Sequence, residues 1–157
     1  MTVALGQTVP DFTAQATSGK AVSLTEFKGK NLVVYFYPKD STPGCTQEGL
    51  EFGGLYAEFA KLDAEIFGVS RDSLKSHENF KCKQAFPFEL IADADELLCQ
   101  LFDVIKLKNM YGKQVRGIER STFLIDRAGR LVREWRKVSV KGHALQVLDA
   151  LQEIESL

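Results

Sequence analysis

An apolar run in the first third of the chain predicts a buried strand. Asn31 to Tyr37 reads NLVVYFY, and this mixture of β-branched and aromatic side chains suits a central strand covered on both faces. Pro38 and the pair Pro43-Gly44 then interrupt the run. From Thr46 to about Leu62 apolar residues recur with helical spacing, so we expect a helix to follow the strand.

Three glycines lie inside this predicted helix, at positions 49, 53 and 54. A glycine in a helix interior costs about 1 kcal/mol relative to alanine. Their presence therefore indicates either a close approach of another segment to the helix backbone or a kink.

The pattern beyond this helix alternates between strands and helices. The expected elements are a strand Glu65–Ser70, a helix near Ser73–Gln84, a strand Phe88–Ala92, a short helix Asp95–Phe102, two strands Ser121–Asp126 and Leu131–Val138, and a final helix from about Lys141 to Ile154. A turn at 127–130 joins the last two strands as a hairpin, and the segment Met1–Lys30 is compatible with another. This order predicts an α/β fold in which helices flank a mixed central sheet.

Length and composition point to one ordinary globular domain over residues 1–157. The chain is 45% hydrophobic and 26% charged, with a net charge of -1, which gives no strong attraction to nucleic acid or to an anionic membrane. The first residues lack the basic and apolar regions of a secretory signal, and no apolar run approaches the ~18 residues of a membrane-spanning helix. We therefore expect a cytoplasmic protein.

The three cysteines, Cys45, Cys82 and Cys99, are expected to be reduced thiols. An odd number at wide spacing fits neither a disulfide scaffold nor a tetrahedral zinc site. Cys99 lies among leucines and a phenylalanine, which is typical of a buried structural thiol.

Cys45 occupies the predicted junction between the apolar strand and the helix. Open α/β sheets usually place their sites where strands end, and a helix N-terminus carries unpaired N–H groups and partial positive charge that favour a thiolate. The simpler alternative is that Cys45 is a small buried apolar residue. In that case Thr42 would only cap a turn, and Glu48 would only complement the helix dipole.

The spacing Pro38-x-x-x-Thr42-x-x-Cys45 resembles the active-site motif of the peroxiredoxins. The longer string PKDSTPGCTQE, with VVYFY before it, is similar to the bacterioferritin comigratory protein branch, also called peroxiredoxin Q. Further similar blocks are GQTVPDF, VSRDSLKSHENF and KNMYGKQVRGIERSTFLID, so the resemblance covers nearly the whole chain. It implies a thioredoxin-like fold and a cysteine-based peroxidase that needs no metal, haem or other cofactor.

The residues agree with a peroxidase better than with a dithiol oxidoreductase. A thioredoxin needs a Cys-x-x-Cys pair, whereas Thr42 and Glu48 stand three positions before and after Cys45. By the resemblance, Cys45 attacks a hydroperoxide and becomes a sulfenic acid. The Thr42 hydroxyl, the Cys45 N–H and Arg120 are then the donors to the peroxide, Pro38 shields the sulfur from water, and Glu48 supports Arg120.

The resemblance also suggests how the sulfenic acid is resolved. Some members of this branch carry a second cysteine where this chain has Leu50, and others use the following helix, where Cys82 lies between Lys81 and Lys83. Our preferred hypothesis is a Cys45–Cys82 disulfide that thioredoxin or glutaredoxin reduces. The alternatives are a one-cysteine peroxidase resolved by an external thiol, and a redox sensor without sustained turnover.

The remaining polar residues do not indicate a further functional site. His77 and His143 are interpreted as solvated helix residues, so a Cys–His hydrolase would require the fold to bring one of them to Cys45. The basic residues between Arg127 and Lys137 are interpreted as the solvated face of a hairpin. The resemblance favours a monomer.

Overall fold

A computed structural model describes residues 2–157. The strands are β1 (Thr13–Ala16), β2 (Lys20–Ser23), β3 (Asn31–Phe36), β4 (Ala64–Ser70), β5 (Glu89–Ala92), β6 (Ile105–Met110), β7 (Lys113–Ile118), β8 (Ser121–Ile125) and β9 (Leu131–Trp135). The helices are α1 (Pro43–Gly54), α2 (Tyr56–Lys61), α3 (Leu74–Gln84), α4 (Leu97–Leu101) and α5 (His143–Glu155), and a short 3-10 helix spans Leu24–Phe27.

Seven strands form one mixed sheet in the order β2-β1-β5-β4-β3-β8-β9. Strands β3, β4 and β5 run parallel and are linked through helices, whereas β8 and β9 form the predicted antiparallel hairpin. β1 and β2 form the hairpin expected near the start of the chain, apart from Met1, which lies outside the described residues. The predicted mixed sheet flanked by helices is therefore confirmed.

β3 lies in the middle of the sheet, and every one of its residues is buried. Its side chains alternate between two cores: Leu32, Val34 and Phe36 point into one. Val33 and Tyr35 point into the other, which also contains Cys45. This alternation is the period of a strand with both faces covered, as the sequence predicted.

The predicted long helix is in fact two helices. Pro43 occupies the first turn of α1, where its missing N–H costs nothing, so the helix begins before the predicted Thr46. It ends at Gly54, and α2 begins after Leu55. The expectation of close packing holds for Gly49, since a Cβ there would lie 2.3 Å from the ring of Phe86.

The hairpin of β6 and β7 was not predicted, because most of its residues are exposed and it lies outside the main sheet. Its strands therefore lack the clear alternation that marks a half-buried strand. A local signal was present: Tyr111 and Gly112 form a two-residue turn with φ angles of 53° and 77°. Positive φ at both central residues is typical of tight hairpins.

The interpretation of His77 and His143 as solvated residues is wrong, since their exposed fractions are 0% and 2%. The side chain of His77 hydrogen-bonds on both sides within the protein. The Nε2 atom of His143 lies 2.7 Å from the Thr122 hydroxyl, and its ring packs edge-on against Phe52 and Trp135.

Within residues 2–157, every helix is too short or too polar to cross a membrane.

Candidate active site

Cys45 lies in the first turn of α1, directly beyond the carboxyl end of β3. The chain leaves β3 through Tyr37 and Pro38, and Thr42 is the N-cap residue of the helix. The first intrahelical bond runs from the Thr46 N–H to the Thr42 carbonyl at 2.9 Å, so the Cys45 N–H precedes the regular hydrogen-bond ladder. The Cys45 side chain belongs to the aromatic core below the helix, and the residue is only 2% exposed.

Arg120 reaches Cys45 from a distant part of the chain because of strand pairing. β8 runs antiparallel to β3 with Ser121 opposite Phe36, so Arg120, which precedes Ser121, lies beside the end of β3. Its Nη2 atom is 3.4 Å from the Cys45 sulfur. A Cβ at position 44 would lie 3.3 Å from the same nitrogen, so Gly44 gives the guanidinium room to approach.

Glu48 completes a buried group of three side chains. It lies one turn beyond Cys45 on α1, and its Oε1 accepts a hydrogen bond of 2.7 Å from Arg120 Nη1. Its side chain is 1% exposed, and its Oε2 atom has no hydrogen-bond partner among residues 2–157. Burial raises the pKa of Glu48 to about 7, although the neighbouring Arg120 acts in the opposite direction.

Arg120 remains charged in this environment. Burial disfavours its cationic form, but the adjacent Glu48 and Cys45 more than compensate, and the net effect raises the pKa of Arg120. A permanent positive charge therefore lies next to the Cys45 sulfur.

The Thr42 hydroxyl lies on the loop that leads into α1 and donates a hydrogen bond of 2.8 Å to the carbonyl of Lys39. Its only hydrogen is thus engaged. In this arrangement the hydroxyl can still accept a hydrogen bond but has no second hydrogen to donate, which differs from the donor role expected from the sequence. Pro38 is exposed at the start of the same loop.

The other two cysteines lie in different surroundings, and all three are free thiols. Cys82 is exposed near the end of α3. Cys99 is fully buried on α4, as predicted, and burial strongly raises the pKa of its thiol, which keeps it protonated. The structure therefore brings Cys45, Glu48 and Arg120 together and leaves Cys82 apart as an exposed thiol.

The sequence analysis missed a buried polar network beneath the same loop. Asp40, between Pro38 and Thr42, accepts hydrogen bonds from Tyr37 and Ser76 and contacts the ring of His77. The charged residue Asp40 between two prolines was a usable signal, but its partners on α3 could not be identified without the fold.

Comparisons with known proteins place this geometry in a family. Residues 5–134 match the AhpC/TSA family. Peroxiredoxin Bcp of Xanthomonas campestris is 59% identical over 142 residues, covering 90% of this chain and 89% of the relative. Peroxiredoxin Bcp of Bacillus subtilis is 50% identical over 154 residues, covering 98% of each.

The chain belongs to the AhpC/TSA family of peroxiredoxins. A crystal structure of a mutant PrxQ from Xylella fastidiosa superposes with a TM-score of 0.92 at 45% identity and covers 98% of each chain. Xanthomonas campestris peroxiredoxin Q gives a TM-score of 0.88 at 58% identity, covering 92% of this chain and 91% of that one. The thioredoxin-like fold and the Bcp/PrxQ resemblance seen in the sequence are both confirmed, and the family is one of peroxidases.

Proposed function

We propose that this peroxiredoxin reduces hydrogen peroxide and organic hydroperoxides at Cys45. The observation that carries the proposal is the 3.4 Å contact between Arg120 Nη2 and the Cys45 sulfur in the first turn of α1. The thiolate attacks one peroxide oxygen and the O–O bond breaks. Sulfur is oxidised to a sulfenic acid, and the second oxygen leaves with a proton as water or an alcohol.

The neighbouring groups have separate roles in this step. Negative charge spreads from sulfur onto the two oxygens, so preset donors along that line lower the barrier. Arg120 and the Cys45 N–H supply such donors. Thr42, whose hydrogen is held by the Lys39 carbonyl, accepts the hydrogen of the peroxide and thereby orients it. Pro38 limits the access of water, and Glu48 holds the guanidinium in place.

Similarity to one solved relative supports the organic hydroperoxides. The Xanthomonas campestris bacterioferritin comigratory protein, studied for its alkyl peroxide reduction activity, is 57% identical to this chain with a TM-score of 0.88, and 92% of each chain is covered.

Cys82 is the proposed resolving cysteine. It is exposed on α3, where it is accessible to a reductant, whereas Cys45 is buried on α1. A disulfide forms only when the Cα atoms are within about 7 Å, so joining two separate helices requires a local rearrangement. Thioredoxin or glutaredoxin then reduces the disulfide.

The remaining expectations from the sequence stay predictions. They are a single domain, a monomer, a cytoplasmic location, and activity without a metal or cofactor.

Mass spectrometry of the intact protein tests this scheme. Wild type, Cys82→Ser and the control Cys99→Ala receive one equivalent of hydrogen peroxide, followed by peptide mapping without reductant. We expect a Cys45–Cys82 disulfide, with a loss of two hydrogens, in wild type and control, and a Cys45 sulfenic acid in Cys82→Ser.

The other outcomes identify the alternatives. The same Cys45 sulfenic acid in all three proteins would mean that the protein is a one-cysteine peroxidase or a redox sensor. These two differ in turnover: with excess thiol, the peroxidase consumes peroxide continuously and the sensor does not. An unreacted Cys45 would overturn the proposed function.

A further inference from the structure

The loop that carries the active-site residues is attached to α3 through one buried carboxylate. Asp40 is 6% exposed and lies between Pro38 and Thr42. Its Oδ2 accepts from the Ser76 hydroxyl at 2.8 Å and lies 2.7 Å from Nδ1 of His77, and both of these residues belong to α3. Its Oδ1 accepts from the Tyr37 hydroxyl at 2.6 Å.

The ring of His77 is held by hydrogen bonds on both sides. Nε2 lies 2.9 Å from the carbonyl of Ile91, which can only accept a hydrogen bond, and Nδ1 faces the Asp40 carboxylate. Nε2 therefore donates to this carbonyl, and Nδ1 shares a short hydrogen bond with the carboxyl group. The ring is 0% exposed and the Asp40 side chain is 3% exposed, so Asp40 and His77 form a buried hydrogen-bonded pair.

The backbone of the loop is fixed as well. The Asp40 N–H donates to Oδ2 of Asp72 at 2.9 Å, and the Ser70 hydroxyl donates to the same oxygen. Asp72 lies between β4 and α3. The loop is therefore tied to the end of β4 and to the first half of α3 at the same point.

These residues fit a structural link better than a metal site. One ligand atom from each of Asp40, Asp72 and His77 lies within 4.8 Å of the other two, as metal ligands do. However, each of these atoms already has protein hydrogen-bond partners. A metal would have to displace the donors that now compensate both carboxylates.

We propose that Asp40 and His77 form a latch, which holds the Cys45 loop in its peroxide-reactive form and slows the rearrangement that joins Cys45 to Cys82. The inference rests on the proposed function, its first half on the reaction of Cys45 with peroxide and its second half on Cys82 as the resolving cysteine. Breaking this buried contact leaves polar groups without hydrogen-bond partners, so the loop does not leave α3 readily. His77 precedes Cys82 on the same helix, so the latch restrains the segment that must move. Asp40 and His77 are positioning residues, since their contacts are with the loop and the helix.

The test separates the two reaction steps in Asp40→Asn, His77→Gln and the double variant. We expect oxidation of Cys45 by peroxide to slow by about tenfold and disulfide formation to accelerate by about tenfold, the effect of losing one hydrogen bond to a charged group. Asp40→Asn and His77→Gln break the same contact between the loop and α3. The double variant should therefore change each rate no more than either single variant does. Hydrogen exchange in the reduced protein should rise at 38–42 and 74–84 and stay unchanged elsewhere.

His143→Asn is the matched control, because it also removes a buried histidine with a side-chain hydrogen bond but lies on α5. It should lower stability while leaving the ratio of the two rates within about twofold. If the latch variants change both rates in the same direction, or show no local rise in hydrogen exchange, the latch is overturned.

Two further outcomes remain informative. If wild type forms no Cys45–Cys82 disulfide, the resolving role of Cys82 fails, while hydrogen exchange and the oxidation rate still decide whether the latch exists. If the Asp40 and His77 variants do not fold, Tyr37→Phe removes only the donor to Asp40 Oδ1. It should raise exchange at 38–42, and unchanged exchange there would overturn the proposal.

Discussion

Arg120 and Cys45, which are 75 positions apart in the chain, lie with a guanidinium nitrogen 3.4 Å from the sulfur. The same guanidinium binds the buried Glu48 at 2.7 Å through its other terminal nitrogen. Arg120 thus contacts the sulfur on one side and a carboxyl group on the other. Its position depends on β8 pairing with β3, and its charge does not change over the physiological pH range.

Replacing Arg120 with methionine should slow peroxide consumption by about 100-fold, the usual cost of removing one preset donor from a developing negative charge. The measurement is the initial rate with excess thiol reductant. Arg116→Met is the matched control, because Arg116 binds Glu96 at the exposed surface and should keep the wild-type rate. A rate near wild type in Arg120→Met would discard the assignment of Arg120.

Thr42 should tolerate serine but not valine. Serine keeps a hydroxyl that can donate to the Lys39 carbonyl and accept from the peroxide, whereas valine has a similar shape and does neither. We expect Thr42→Val to lose about 100-fold in the rate of Cys45 oxidation, and Thr42→Ser to stay within about tenfold of wild type. Equal rates in the two variants would show that the hydroxyl oxygen does not decide the rate at this position.

Glu48 should make stability depend on pH. Burial raises its pKa from the ordinary value of 4.5 in an unfolded chain to about 7 in the folded protein, so the folded state binds more protons between these values. Stability from Glu48 is therefore fully present below pH 4.5 and is lost as pH rises through 7, by about 3 kcal/mol in total.

The comparison with Glu48→Gln isolates this contribution, because glutamine keeps an acceptor for Arg120 but does not titrate. Urea unfolding at pH 5 and pH 8 should show the variant gaining stability relative to wild type as the pH rises. If the free energies of unfolding of wild type and Glu48→Gln differ by the same amount at pH 5 and at pH 8, the raised pKa of Glu48 is contradicted.

Gly49→Ala should destabilise the protein by about 1–3 kcal/mol, as overpacking of a core does. The added Cβ would lie 2.3 to 3.0 Å from three atoms of the Phe86 ring, which is itself buried. Gly54→Ala is the control in the same helix, since a Cβ there has no neighbour within 4 Å among the described residues. It should be neutral or stabilising by up to about 1 kcal/mol, measured by urea unfolding.

Local signals were sufficient to find Cys45 and its place in the fold. The apolar run of β3, the prolines after it and the helical spacing beyond it are all short-range patterns, and each is enforced by backbone sterics or by burial of neighbouring residues. The same kind of signal predicted the alternating strands and helices and the buried Cys99. The motif around Cys45 then identified the family from residues that are close together in the chain.

The partners of those residues were decided only by the tertiary structure. His77 lies on a helix with mostly polar neighbours, and its burial results from the contact of α3 with the Asp40 loop and β5. The raised pKa of Glu48 likewise depends on how deeply α1 is packed. Exposure, hydrogen-bond partners and pKa depend on which segments meet in space, and the periodicity of one segment carries no information about the segment that covers it.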